Sequence, residues 1–166
     1  MSMEWDEWFS REHPLKIRDS DLFLHGTSSR NYSDIQRTGF LLRKAPNRNW
    51  GISERGICFE RYVKQGQYCG VSSVSLVDVT IENYCEIACK HDGSSEGVVL
   101  QVKGRELKEL GCPIYADWNK LYPCKRNTEG IPIDVDSDVS VLSIIVVDCD
   151  VPVRYLEVVK RISFKG

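Results

Sequence analysis

Apolar residues occur in this chain mostly as short runs that end at glycine or polar residues, the pattern typical of buried β-strands. The run at 139–147 is nearly continuous, which favours a strand covered on both faces. Val158–Phe164 alternates instead, as expected of a final edge strand. Together these runs predict strands at 22–24, 56–59, 97–102, 114–116, 139–147 and 158–164.

Helical periodicity is confined to a few segments. Residues 80–90 place four apolar side chains on one helix face and predict an amphipathic helix. The valines between positions 71 and 79 favour extended structure. Residues 1–19, with aromatic side chains at helical spacing, predict a helical lead-in. A chain of this length is most simply one domain, which would occupy residues 20–166.

Two shorter helices are indicated by their capping residues. Asn31 or Ser33 can cap a helix that Gly39 ends. Residues 105–110 predict a helical turn that Gly111 closes. Many short strands with few helices predict the α+β class rather than a doubly wound sheet.

Charge and composition narrow the function classes. The net charge of -2 gives no electrostatic case for nonspecific nucleic-acid binding. No window approaches the length and hydropathy of a membrane span, and the N-terminus lacks the features of a signal peptide. A basic cluster leaves two interpretations open, a solvated loop or an anion site, and consists of Arg37, Arg43, Lys44 and Arg48.

The seven cysteines are an odd number without the spacing of a compact disulfide scaffold. Cys58 and Cys149 lie inside apolar runs, where a reduced thiol packs as a small hydrophobe. A reducing, cytoplasmic setting is therefore expected. Cys85, Cys89 and His91 are close in sequence, but a structural zinc site needs a fourth ligand and a second short spacing, so no metal site is predicted.

The segment His25-Gly26-Thr27, directly after the first apolar run, is the main candidate for chemistry. A histidine at a strand end can point a ring nitrogen at a ligand, and a glycine beside it lets a ligand approach the backbone. An isolated histidine at such a place is also a common structural hydrogen-bonding residue. The residues that follow in the sequence decide between these interpretations.

His25-Gly26-Thr27 resembles the His-Gly-Ser/Thr motif of the ADP-ribosyltransferase superfamily, on the poly(ADP-ribose) polymerase and diphtheria-toxin side. The stretch 56–59, Gly-Ile-Cys-Phe, is similar to the family's Gly-Ile-Tyr-Phe strand. The stretch 144–156 looks like the strand and exit that follow the family's catalytic glutamate. The three motifs occur in the family's order, and the likeness spans residues 22–156.

The resemblance implies two packed, mainly antiparallel sheets with NAD bound as a substrate in the cleft between them. It implies an NAD-dependent mono-ADP-ribosyltransferase, a glycosyltransferase that acts on a protein or nucleic-acid acceptor. His25 would bind the adenine-side ribose, and the backbone of Gly26 would hold the nicotinamide amide. A tyrosine, Tyr84 or Tyr68, would stack on nicotinamide. The rest of the implied NAD contacts are Thr27, Gly56, Cys58 and Phe59.

Two departures from the family pattern bear on catalysis. Cys58 stands where the family has tyrosine, and Ser143 stands where it has the catalytic glutamate. A serine can hydrogen-bond a ribose hydroxyl but carries no charge to stabilise an oxocarbenium ion. Asp138, upstream of Ser143, is one alternative acid, as are Asp136 and Glu129. The alternative function is a catalytically weak or inactive module of the same fold that binds NAD, ADP-ribose or a protein partner.

Overall fold

The computed structural model describes residues 15–43, 56–62, 75–117, 125–126, 132–133 and 144–164. The expectations for Tyr68, Asp138, Ser143 and the N-terminal part of the lead-in lie outside the described residues. The strands are β1 Leu22–Ser28, β2 Phe40–Leu41, β3 Ile57–Arg61, β4 Glu96–Lys103, β5 Ile114–Asp117, β6 Lys125–Arg126, β7 Pro132–Ile133, β8 Ile144–Val147, β9 Val151–Pro152 and β10 Glu157–Ser163. The helices are α1 Ser29–Thr38, α2 Ser75–Asp92, α3 Gly104–Leu110 and a 3₁₀ turn at Val153–Tyr155.

The main sheet has six strands in the order β10-β4-β1-β3-β8-β5. Every neighbouring pair in it is antiparallel. Its helices are interspersed with antiparallel strands, so the predicted α+β class is confirmed. Within the described residues the main sheet is accompanied by two small ladders, β2-β9 and β6-β7. The predicted edge position of the last strand is also confirmed, since β10 pairs only with β4 among the described strands.

The cap of α1 differs from the prediction. Ser28, the last residue of β1, is the N-cap, and its Oγ accepts a hydrogen bond of 3.1 Å from the backbone N–H of Asn31. Asn31 and Ser33 therefore lie inside the helix rather than at its start. The strand runs directly into the helix without a loop, so its final residue takes the capping role. Gly39, with a φ of 83°, ends α1 in the left-handed conformation, as predicted.

The start of α2 also differs from the prediction. The backbone is helical from Ser75, so the expectation of extended structure for positions 75–79 is wrong. Valines favour a strand, but a short apolar stretch is compatible with both a strand and a helix, and tertiary contacts decide between them. The predicted helix at 80–90 is confirmed as the C-terminal part of α2. The turn at 105–110 is confirmed as α3, closed by Gly111 at a φ of 67°.

The two faces of the main sheet have separate cores. One face, called here the His25 face, carries a cluster that includes Phe23, Phe59, Leu100 and Ile145, with side chains from α1 and α3 packed on it. The other, called the α2 face, carries a smaller cluster whose buried members are Leu24, Ile81, Cys85 and Val99. Side chains alternate along a strand, so Phe23 and His25 of β1 belong to the first face and Leu24 and Gly26 to the second.

A disulfide joins Cys112 and Cys149, whose Cα atoms are 6.1 Å apart. The interpretation of Cys149 as a reduced thiol is therefore wrong. Ile114 pairs with Val147 in the β5–β8 ladder, and continuing that antiparallel register by two residues brings the two cysteines opposite each other. Cys58, Cys85 and Cys89 are not part of a disulfide. Within the described residues, no helix is both long enough and apolar enough to cross a membrane.

Candidate functional site

The imidazole of His25 is held by a hydrogen bond from β3. Its Nδ1 lies 2.8 Å from the backbone carbonyl oxygen of Cys58. A carbonyl only accepts, so Nδ1 carries the proton, and Nε2 is left as the acceptor of the neutral ring. The ring also lies against Phe59, with a centroid separation of 5.4 Å. His25 therefore has a fixed tautomer and a fixed ring position.

Burial lowers the pKa of His25, and the hydrogen bond to the Cys58 carbonyl opposes that effect without cancelling it. The ring is therefore neutral at pH 7, since even the ordinary pKa of histidine is 6.5. A neutral ring with Nδ1 protonated presents one lone pair, on Nε2. Chemically, this nitrogen is suited to accept a hydrogen bond from a hydroxyl group.

Gly26 serves the packing of α2. A Cβ atom at this position would lie 2.9 Å from the carbonyl oxygen of Ile81 and 3.0 Å from the Sγ of Cys85. Gly97, on the neighbouring strand β4, faces the same helix, and its Cβ would lie 2.6 Å from the Cβ of Cys85. The two glycines let the helix backbone approach the sheet closely. The packing of α2 therefore explains the glycine at position 26 without a ligand.

Thr27 and Ser28 belong to a polar network at the end of β1. The side-chain amide of Asn31 donates a hydrogen bond of 2.7 Å to the Oγ1 of Thr27. The hydroxyl of Ser28 donates to a carboxylate oxygen of Asp92, and Arg30 donates to the Asp92 backbone carbonyl at 2.9 Å. Both hydroxyl residues are buried. The network ties the end of β1 to the start of α1 and the end of α2.

Asp92 is the charged member of this network. Burial on its own would raise the pKa of its carboxyl, but hydrogen bonds from Ser28 and Ser94 and the charge of Arg30 outweigh it, so the pKa lies below its usual value. The backbone N–H of Ser94 donates to it at 2.9 Å. The carboxylate therefore stays ionised and anchored. Through its hydrogen bond from Ser28, it connects the C-terminal end of α2 to the end of β1.

The structure does not bring His25 and Tyr84 together. Tyr84 is on α2 and packs against the cluster of the α2 face. His25 is on the opposite face, beside Phe59 and paired with Leu100 of β4. One ligand molecule on the His25 face cannot stack on Tyr84 through the sheet. The other candidate tyrosine, Tyr68, lies outside the described residues.

The three candidates on the β3 segment have different roles. Gly56 has a φ of 152°, and a Cβ there would overlap the carbonyl of Val147, so the position requires glycine. Cys58 offers its backbone carbonyl to His25, while its side chain, opposite Val146 of β8, is on the α2 face. Phe59 is buried to 1% exposure and supports the imidazole from the core side.

Among the described strands, none of the residues in register with His25 across the main sheet carries a carboxylate. The antiparallel β1–β3 register, continued by one residue from Leu24 and Glu60, brings His25 opposite Phe59, and Phe59 pairs with Ile145 of β8. That row is apolar beyond the histidine. The candidates Ser143 and Asp138 lie outside the described residues.

Sequence reasoning overlooked the buried acid Glu60. It is 5% exposed and pairs with Leu24 of β1 and Ile144 of β8, which places it on the α2 face. A charged residue directly after the apolar run 57–59 was the available signal. It does not share a face with His25, so it does not complete the site around that residue.

The remaining sequence candidates form structural pairs. Arg43 forms an ion pair with Asp148, and Arg37 lies 3.5 Å from Asp34. Lys44 and Arg48 lie outside the described residues.

Burial raises the pKa of the Cys85 thiol to about 11, so it stays protonated. In the part of the chain that is described, no group of histidine, cysteine and acidic residues is arranged to hold a metal ion.

Comparison with known proteins gives no relative: no protein-family model, curated protein or solved structure matches this chain.

Proposed function

We propose that this chain is a nucleotide-binding module that holds NAD or ADP-ribose through a ribose hydroxyl on His25. The observation that carries the proposal is the fixed imidazole. Its Nδ1 is engaged by the Cys58 carbonyl at 2.8 Å, which reserves Nε2 for a donor. Ribose hydroxyls are donors of this kind. The lowered pKa keeps Nε2 able to accept at neutral pH.

The ADP-ribosyltransferase-like fold is part of the same proposal. The three stretches that resemble the family lie on β1, β3 and β8, and these strands are consecutive neighbours in the main sheet. Segments far apart in sequence are thus brought side by side, as a shared binding cleft requires. This arrangement supports the resemblance independently of the similarity of the motifs themselves.

Mono-ADP-ribosyl transfer is the second candidate, and the same strand order favours it. In that reaction the bond between the ribose C1′ and the nicotinamide nitrogen breaks, nicotinamide leaves with the bonding electrons, and a nucleophile of the acceptor attacks C1′. A carboxylate normally stabilises the positive charge that develops on the ribose. The binding module ranks first because a serine, Ser143, stands where the resemblance implies the catalytic glutamate.

Binding is tested by isothermal titration calorimetry with NAD, ADP-ribose and AMP. We expect His25→Ala to weaken ADP-ribose binding about tenfold, as the loss of one well-placed hydrogen bond predicts. His91→Ala is the matched control, since it removes an exposed histidine at the end of α2. Wild-type protein that binds none of the three nucleotides, or equal affinities for His25→Ala and His91→Ala, would refute the proposal.

Transfer is tested separately with radiolabelled NAD and a cell lysate, with nicotinamide release as a second readout. A transferase labels an acceptor, and the label is lost in Ser143→Ala or Asp138→Asn, whichever residue supplies the acid or its substitute. Nucleotide binding by calorimetry without label or nicotinamide release assigns the chain to the binding module.

A further inference from the structure

A groove on the α2 face is separate from the site around His25. It has a volume of about 210 Å³ and an apolar floor of Leu22, Leu24, Ile81 and Val99. These residues come from β1, α2 and β4. His25 points to the other side of the sheet, so no ligand in this groove can contact it.

The groove follows from the way α2 packs. The helix approaches β1 and β4 most closely where Gly26 and Gly97 have no side chains. Further along β1, the side chains of Leu22 and Leu24 lie between the sheet and α2, so the helix cannot approach the strand as closely there. The space between them and α2 is the groove. A dry cavity of about 150 Å³ is known to hold benzene, so this larger space accommodates a phenyl or isobutyl group.

An acidic and a basic side chain form an ion pair at the rim of the groove. Glu82 of α2 and Lys160 of β10 both line the groove, and their Oε1 and Nζ atoms are 2.9 Å apart. Both side chains are about half exposed, so neither is locked in place. An exposed ion pair of this kind contributes little to stability and exchanges partners at small cost.

The paired charges select among possible ligands. A monocarboxylate would bind Lys160 but leave Glu82 facing a second negative charge. A monoamine would bind Glu82 and leave Lys160 facing a second positive charge. A zwitterion replaces the existing ion pair with two new ones and leaves no like charges adjacent.

We propose that this groove binds a free α-amino acid with a large apolar side chain. The α-ammonium group pairs with Glu82, the α-carboxylate pairs with Lys160, and the side chain lies on Leu22, Leu24, Ile81 and Val99. Burial of the side chain supplies the affinity, and the two charged groups supply the selectivity.

The test is calorimetric titration with L-phenylalanine and with two analogues that each lack one charge, 3-phenylpropionate and 2-phenylethylamine. We expect both analogues to bind about tenfold more weakly than phenylalanine. We expect Glu82→Gln and Lys160→Gln to weaken phenylalanine binding by a similar factor and to bring its affinity close to that of the analogues.

Arg161→Gln is the matched control. Arg161 is next to Lys160 on β10 and is comparably exposed, and its ion pair of 2.8 Å with Glu96 of β4 lies outside the groove lining. Circular dichroism verifies that each variant is folded. The proposal is overturned if phenylalanine does not bind, if the analogues bind equally well, or if the control weakens binding as much as Lys160→Gln. We expect these variants to leave nucleotide binding at His25 unchanged, so the two proposals can fail separately.

Discussion

His25 and Gly26 are neighbours in β1, yet they serve opposite faces of the main sheet. His25 is on the face with the larger core and is positioned by the Cys58 carbonyl and the Phe59 ring. Gly26 is on the other face and makes room for α2. Adjacent residues of one motif are therefore constrained by different contacts, on opposite faces of the sheet. Each residue of His25-Gly26-Thr27 has a structural partner: the Cys58 carbonyl for His25, α2 for Gly26 and the Asn31 side chain for Thr27.

The largest effect is expected from removing the disulfide, which packs against the core of the His25 face. The double variant Cys112→Ser/Cys149→Ser should lose about 4 kcal/mol of unfolding free energy, because the bond links positions 37 residues apart. Urea denaturation followed by circular dichroism measures the loss. A reductant should destabilise the wild type similarly and leave the double variant unchanged. A loss below about 1 kcal/mol would show that the bond constrains little of this face.

The packing of the α2 face is tested by Gly97→Ala. The new methyl group would lie 2.6 Å from the Cβ of Cys85 and 2.9 Å from the Phe164 ring, so we expect a loss of about 3 kcal/mol. Gly93→Ala is the control: its φ is +78° but its surroundings are open, so it should lose only about 1 kcal/mol of backbone strain. Chemical denaturation of both variants compares the two costs. Equal losses would mean that α2 does not pack as closely as Gly97 implies.

The network at the end of β1 links the two faces, and Asp92→Ala breaks it. The variant loses the hydrogen bonds from Ser28 and Ser94, and we expect it to lose about 2 kcal/mol at pH 7. The lowered pKa of Asp92 means that its contribution is present above the ordinary value of 3.8 and disappears as the pH falls through the folded-state pKa. Asp34→Ala, which removes an exposed ion pair with Arg37, should change stability far less.

The smallest effect is the pH dependence that His25 contributes. Its pKa is lower in the folded state than in the unfolded state, so the unfolded chain binds the proton first. The contribution of His25 to stability is therefore complete above pH 6.5 and declines as the pH falls towards the folded-state pKa. Proton–nitrogen NMR should show the His25 ring titrating below its ordinary pKa. A titration at or above 6.5 would remove the basis for a neutral Nε2 acceptor.

Several elements were predictable because their signal is local. The alternation of 158–164 predicted the edge strand β10, and the positive φ that glycine favours marked the ends of α1 and α3 at Gly39 and Gly111. The start of α2 was not predictable in this way. The valines at and before positions 75–79 favour a strand, whereas the contacts of α2 with β1 and β4 favour a helix.

Some features of the candidate site were also predictable from local sequence, and others were not. The sequence indicated His25, because a histidine after an apolar run is visible without a structure. It did not indicate that Tyr84 would be on the opposite face, since the pairing of α2 with one side of the sheet depends on Gly26 and Gly97 together. The position of Glu60 after an apolar run was a signal, but its burial depends on pairing with β1 and β8, which the sequence does not show.

The sequence alone determined the α+β class, the positions of most strands and the candidacy of His25, because apolar periodicity and glycine conformation act over a few residues. The tertiary structure decided which face each residue serves, that Ser28 caps α1, that Cys112 pairs with Cys149, and that an apolar groove lies beside Glu82 and Lys160. These features depend on contacts between segments far apart in the chain, and no local pattern encodes which distant partner a side chain meets.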